Sequence, residues 1–246
     1  MIRSALAQRF ILSPNVGARR GRELPDMVVL HYTGMADAEA ACAWLCDPRS
    51  QVSCHYLVDL NGAIIQMVDE ELRAWHAGVS SWEGDEDINS RSVGIEIHNP
   101  GHVLGYSDFP APQMEAVARL AQDICQRHAI LPRRVLAHSD VAPGRKVDPG
   151  EKFDWRWLHG RGVGAWAEAG KAEDGRTLVE GDAGPEVDDF QAMLRRYGYG
   201  IDVTGSYDSR TKIMVEAFQR HFRPARIDGR GDASTIAILR KLVAAV

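Results

Sequence analysis

Met27-Val28-Val29-Leu30-His31-Tyr32-Thr33 is a continuous apolar run that ends in a histidine. Such a run reads as a strand buried in a sheet. Its neighbours decide what kind of sheet. Ala36 to Cys46 reads as a helix. Cys54 to Val68 reads as two strands joined at Asn61-Gly62, the strongest short hairpin signal. Ser92 to Asn99 alternates strictly between apolar and small or polar residues. Ala111 to Ile130 has helical spacing, with Met114, Val117, Leu120 and Ile124 on one face. Arg133 to Ser139 is a second short apolar run holding a histidine. Strands interleaved with helices predict an α/β fold, a mixed central sheet flanked by helices.

After Trp166 the texture changes. Residues 167–178 are rich in Gly, Ala and charge and read as a linker between a first unit, 1–170, and a second, 178–246. The second unit repeats itself. Val187 to Tyr199 reads as a helix ending at Gly198. Two turn-then-helix segments follow, with Asp208-x-x-Thr211 and Asp232-x-x-Thr235 at matching places. Each Asp is a natural helix N-cap. The pattern predicts a small all-α, three-helix unit with no catalytic cluster in it.

The totals exclude several functions. The net charge of −5 over 246 residues argues against a nucleic-acid binder. No apolar run approaches the roughly 18 residues of a membrane span. Arg9 interrupts the apolar stretch near the start, so residues 1–15 do not read as a signal peptide. Cys42, Cys46, Cys54 and Cys125 are too sparse for a disulfide framework and read as reduced thiols. The expectation is a soluble, cytoplasmic monomer.

The chemistry-bearing residues cluster around the apolar runs. His31 and His138 are expected at strand ends, and ligands gather at the carboxyl ends of strands in open α/β sheets. One histidine there reads as a polar strand end. Two, followed by Asp148 behind a Pro143-Gly144 turn, read as a zinc site with three protein ligands and an open position. Asp140, two residues after His138, competes for the third place. Glu96 shares a strand face with Gly94 and His98. It reads either as a solvated edge carboxylate or as a general base beside the metal. Lys146 reads either as a solvated loop lysine or as the cation that holds a developing oxyanion. Together these residues suggest amide hydrolysis.

The stretches VVLHYTGM, VSCHYLVD, AWHAG, SVGIEIHNPG and HSDVAPGRKVDPG resemble, in order, the blocks of the zinc-dependent N-acetylmuramoyl-L-alanine amidases of the AmpD/AmiD type, over roughly residues 13–166. The resemblance implies one Zn²⁺ on His31, His138 and Asp148, with Glu96 as catalytic glutamate and Lys146 as its assisting lysine. It implies a peptidoglycan or muropeptide substrate. His55 occupies a recurrent but non-ligating position and reads as structural. His76 and Trp75 fall in a loop that lies by the substrate groove in that family. Tyr32, His98, Asn99 and Arg145 are adjacent candidates for substrate contact. Residues 178–244 are similar to the three-helix peptidoglycan-binding domain, departing from it in the first turn, Asp202 to Asp208. A non-catalytic peptidoglycan recognition module is the alternative, disfavoured because all five site residues are present. The binding domain also raises a periplasmic alternative to the cytoplasm.

Overall fold

The computed structural model describes residues 3–170 and 175–246; Met1, Ile2 and 171–174, the middle of the expected linker, lie outside the described residues. In chain order the elements are β1 (Arg9–Phe10), β2 (Val16–Ala18), β3 (Met27–Tyr32), α1 (Ala38–Cys46), β4 (Tyr56–Val58), β5 (Ile64–Gln66), β6 (Leu72–Ala74), α2 (Ile88–Arg91), β7 (Ser92–Ile97), α3 (Gly101–Leu104), α4 (Ala111–His128), β8 (Val135–Ala137), α5 (His138–Val141), α6 (Trp155–Gly160), α7 (Pro185–Tyr197), α8 (Ser209–Phe222) and α9 (Ala233–Ala244).

The six-stranded mixed sheet runs β1-β5-β4-β7-β3-β8. The run that opened the sequence is β3, paired in parallel with β7 on one side and β8 on the other. β4 and β5 form the antiparallel hairpin expected at Asn61-Gly62. Two pairings were not expected: β1 lies parallel to β5, and β2 with β6 makes a separate two-stranded sheet.

Alternation of side chains divides the core by sheet face. Val28, Leu30, Val93, Ile95, Val135 and Ala137 point to the side covered by Met114, Val117, Leu120 and Ile124 of α4. Met27, Val29 and Leu136 point to the other side. There they pack with Trp82, Val141 and the second unit, including Leu194, Tyr199 and Phe218. α1 covers a different part of that face, where Ala41, Cys42 and Leu45 meet Leu57, Ile65 and Met67. Cys42 and Cys54 are buried there. Cys46 and Cys125 are half-buried. All four are free thiols, and burial holds them protonated.

The second unit is the expected three helices. Asp208 accepts from the Thr211 N–H, and Asp232 from the Thr235 N–H. A buried glutamine serves each repeat. Gln191 accepts from the N–H groups of Thr204 and Gly205 and donates to Ser206 O. Gln219 accepts from Asp228 and Gly229 and donates to Arg230 O. Each side chain closes a turn whose backbone groups would otherwise be unpaired in the core.

Glu70, fully buried in the loop between β5 and β6, ties the end of α4 to the sheet. Its carboxylate accepts from Arg127, His128 and the Tyr56 hydroxyl. Burial alone would raise its pKa, but these hydrogen bonds, led by Arg127, outweigh it and bring the group down to about 2. A depressed carboxylate contributes stability above its unfolded pKa and loses it as pH falls through the folded one. Glu70→Gln is therefore expected to cost about 3 kcal/mol near neutral pH, as for a broken buried pair. The deficit shrinks as pH falls from about 4.5 towards 2. Urea unfolding across that range checks this, and a deficit independent of pH would contradict it.

Candidate active site

Strand register assembles the site. In the β3–β7 pairing His31 stands opposite Glu96. In the β3–β8 pairing Leu30 stands opposite Ala137, which places His138 beside the end of β3. His138 does not end a strand, as expected from sequence; it is the first residue of the helical turn α5. The Pro143-Gly144 turn then reverses the chain, and the Ser139 N–H donates to Asp148 O at 3.0 Å.

His31 Nδ1, His138 Nδ1 and Asp148 Oδ2 converge, with separations of 2.8, 3.2 and 2.9 Å. All three residues are buried. Their protons can be assigned from the surroundings. The Ser92 hydroxyl donates to Ile88 O at 2.6 Å, so its oxygen accepts from His76 Nε2–H at 3.1 Å. That leaves His76 Nδ1 as an acceptor, and His31 Nε2–H donates to it at 3.0 Å. On the other ring, His138 Nε2–H donates to Ala77 O at 3.1 Å. Both Nε2 atoms are thus engaged outward, and both Nδ1 atoms face Asp148 Oδ2.

Two imidazole lone pairs and a carboxylate facing one another attract a cation, and this donor set suits a divalent metal with two nitrogen ligands and one oxygen. The electrostatics agree. Burial and the neighbouring His138 lower the His31 pKa to about 4, so it is neutral and free to ligate. Asp148 is held well below the usual carboxylate range; burial opposes this, but His138 and His31 outweigh it.

Glu96 is half-buried, yet its Oε2 is out of contact with solvent and has no hydrogen-bond partner among the described residues. Burial, then the charge of Asp148, pushes its pKa well up, and Lys146 pulls it down. A cation on Asp148 would cancel the second cause. Lys146, Tyr32, Trp75, His76 and Arg145 line the same groove of about 430 Å³.

His98 and Asn99 do not line it. His98 faces Thr33, and its carbonyl accepts from Gln113. Asn99 is fully buried, donating to Ser107 O and accepting from the Gly101 N–H. Asp140, the competing ligand, points to the opposite side, towards Tyr199 and His221. His55, the expected structural histidine, accepts from the Gly94 N–H and contacts Leu72 O.

Trp44 and Val52 also line the groove and were not expected there. Trp44 lies off the buried stripe of α1, Ala38, Ala41, Cys42 and Leu45; that off-stripe aromatic was the available signal. His76 has a further role as the acceptor behind His31. Gly94 makes room for it, since a Cβ there would lie 2.5 Å from the His76 ring.

An N-acetylmuramoyl-L-alanine amidase family model matches residues 20–151, and a peptidoglycan binding domain model matches residues 183–239. N-acetylmuramoyl-L-alanine amidase AmiD of Escherichia coli is 38% identical over 231 residues, 88% of this chain and 82% of that protein. The 1,6-anhydro-N-acetylmuramyl-L-alanine amidase AmpD of the same species is 34% identical over 60% of this chain and 87% of that protein. The structure of E. coli AmiD with the substrate anhydro-N-acetylmuramic acid-L-Ala-D-gamma-Glu-L-Lys superposes with a TM-score of 0.77 at 36% identity, covering 93% of this chain and 92% of that one. Pseudomonas aeruginosa AmpDh3 in complex with anhydromuramic pentapeptide gives 0.78 at 34%, covering 91% and 92%.

Replacing His76 by Phe keeps a ring but removes the acceptor that orients His31. Loss of such a supporting partner weakens metal binding by about tenfold or more. Competition of the purified variant against a chelator reads this directly; unchanged affinity would show that His76 does not orient His31.

Proposed function

The chain belongs to the N-acetylmuramoyl-L-alanine amidase family, and we propose that it is a zinc enzyme cutting the amide between the lactyl group of N-acetylmuramic acid and L-alanine. The observation that carries this reading is the inward-facing triad of His31, His138 and Asp148, with Glu96 opposite His31 across the β3–β7 pairing. Three protein ligands with a position left for water or substrate is the pattern of catalytic zinc. The relatives whose structures hold anhydromuramic peptides support the substrate class, peptidoglycan or its anhydro fragments.

Bound zinc supplies Lewis acidity and lowers the pKa of water. The chain's own residues do the rest. Glu96 takes a proton from the attacking water and returns it to the leaving nitrogen. Its unpaired Oε2 leaves an acceptor for that proton. The Lys146 ammonium stabilises the oxyanion that forms on the scissile carbonyl. Tyr32, Trp75 and Arg145 border the groove and hold the muramyl peptide, with Trp44 added on the same rim. The Arg145 guanidinium is braced by Ala77 O and Val79 O. His98 and Asn99 act from behind the groove, as supports for the turn after β7. The second unit retains peptidoglycan.

Glu96→Gln is expected to bind zinc as the wild type does. Its turnover should fall by about 100- to 10,000-fold, the usual contribution of a general base. Mass spectrometry of products from anhydromuropeptides and, separately, from intact sacculi measures this. A zinc-loaded wild type that frees no stem peptide from either substrate would end the amidase reading.

A further inference from the structure

We propose that the three-helix unit is a working part of the metal site: through Tyr199 and His221 it holds Asp140, and through Asp140 it holds the turn that carries His138. This rests on the reading of His31, His138 and Asp148 as zinc ligands.

Asp140 is fully buried and both of its oxygens are engaged. Oδ1 accepts from the Tyr199 hydroxyl at 2.7 Å. Oδ2 accepts from His221 Nδ1–H at 2.6 Å and from the Ala137 N–H at 2.8 Å. Ala137 is the N-cap of α5 and immediately precedes His138. One carboxylate oxygen thus joins a side chain of the second unit to the backbone that aims a metal ligand.

The donors on the far side are themselves held. The His221 ring stacks on Trp155 at 3.8 Å and on Phe222 at 3.9 Å between centroids. Tyr199 is buried and packs edge-on against Trp82, 5.0 Å between centroids. The Glu83 N–H donates to Gly198 O at 2.8 Å, which pins the segment bearing Tyr199.

A second contact reaches the loop between the two ligands. Gly144, with φ of +75°, lies so close to Ile213 of α8 that a Cβ would sit 2.9 Å from its Cγ2. The 137–148 segment therefore meets the groove on one side and α8 on the other. The Asp140 carboxylate reaches back to the Ala137 N–H as an N3 cap of α5, so the group that sets this turn is the same one that receives the donors of the second unit. Leu136, Val141 and Asp140 of the first unit are all buried against the second.

The test uses the full chain, with zinc competed against a chelator and thermal unfolding of the metal-free protein recorded alongside. Tyr199→Phe deletes one hydroxyl and keeps the ring packing, so it is the deciding variant; His221→Gln is the second. Zinc affinity is expected to fall about tenfold in Tyr199→Phe, as for other supporting partners of ligands, and further when both changes are combined. Variants that unfold at lower temperature but bind zinc as tightly as the wild type would reduce the contacts to docking and overturn the proposal. A wild type that binds no zinc would instead remove the metal reading beneath it.

Discussion

Because side chains leave a strand alternately on its two faces, Met27, Val29 and His31 share one side of β3, and Val28 and Leu30 share the other. The second pair is covered along its length by α4. The first side has a harder problem. Its apolar members must be buried, while the histidine at its end must stay reachable. The face is therefore divided. α1 covers one region, the groove occupies the middle, and the three-helix unit covers Met27, Val29 and Leu136. The groove is the part of this face left between them, bordered by Trp44 of α1.

Convergence of His31, His138 and Asp148 imposes a second condition, on protons. Inward lone pairs need outward N–H groups, and each outward N–H needs an acceptor in a buried setting. Ala77 O meets this need for His138, and the chain His76–Ser92–Ile88 meets it for His31. Both acceptor sets depend on the loop after β6, whose His76 and Ala77 N–H groups are held by the Asn89 side chain. A loop distant in sequence from His31 and His138 thereby orients both rings. Burial lowers the pKa of His31 to about 4 and that of His76 well below its ordinary value, which keeps this pair neutral.

Local patterns made much of this legible. The β3 run, the Asn61-Gly62 hairpin and the Asp208 and Asp232 caps each depend on neighbours in sequence, and each lies where the pattern places it. Misplacements occurred where a period was carried past the end of its element. His98 shares parity with Glu96, but β7 ends at Ile97, and beyond it the alternation no longer holds. Asp140 would share a side with His138 in an extended chain. In the helical turn α5 two residues are more than half a revolution apart, so it points away. The role of His76 was hidden for a different reason. It depends on contacts across 45 residues to His31 and 16 to Ser92, which no local pattern encodes. The pairing of β1 with β5 is likewise long-range, joining Arg9 to Ile65.

The composition changes after Trp166, but the core has no boundary there. Trp82, Leu136 and Val141 of the first unit belong to the same apolar cluster as Leu194, Tyr199 and Phe218 of the second. A tethered module that only bound polymer would require no such fit. Burial on the face that bears His31 and His138 has a geometric consequence: it fixes the offset between the second unit's outer surface and the groove. A polymer held on that surface would approach the groove in a limited set of positions. Proximity of this kind contributes to catalysis as orientation, apart from any gain in affinity. The same packing that completes the core thus also constrains how a polymer can be presented to the groove.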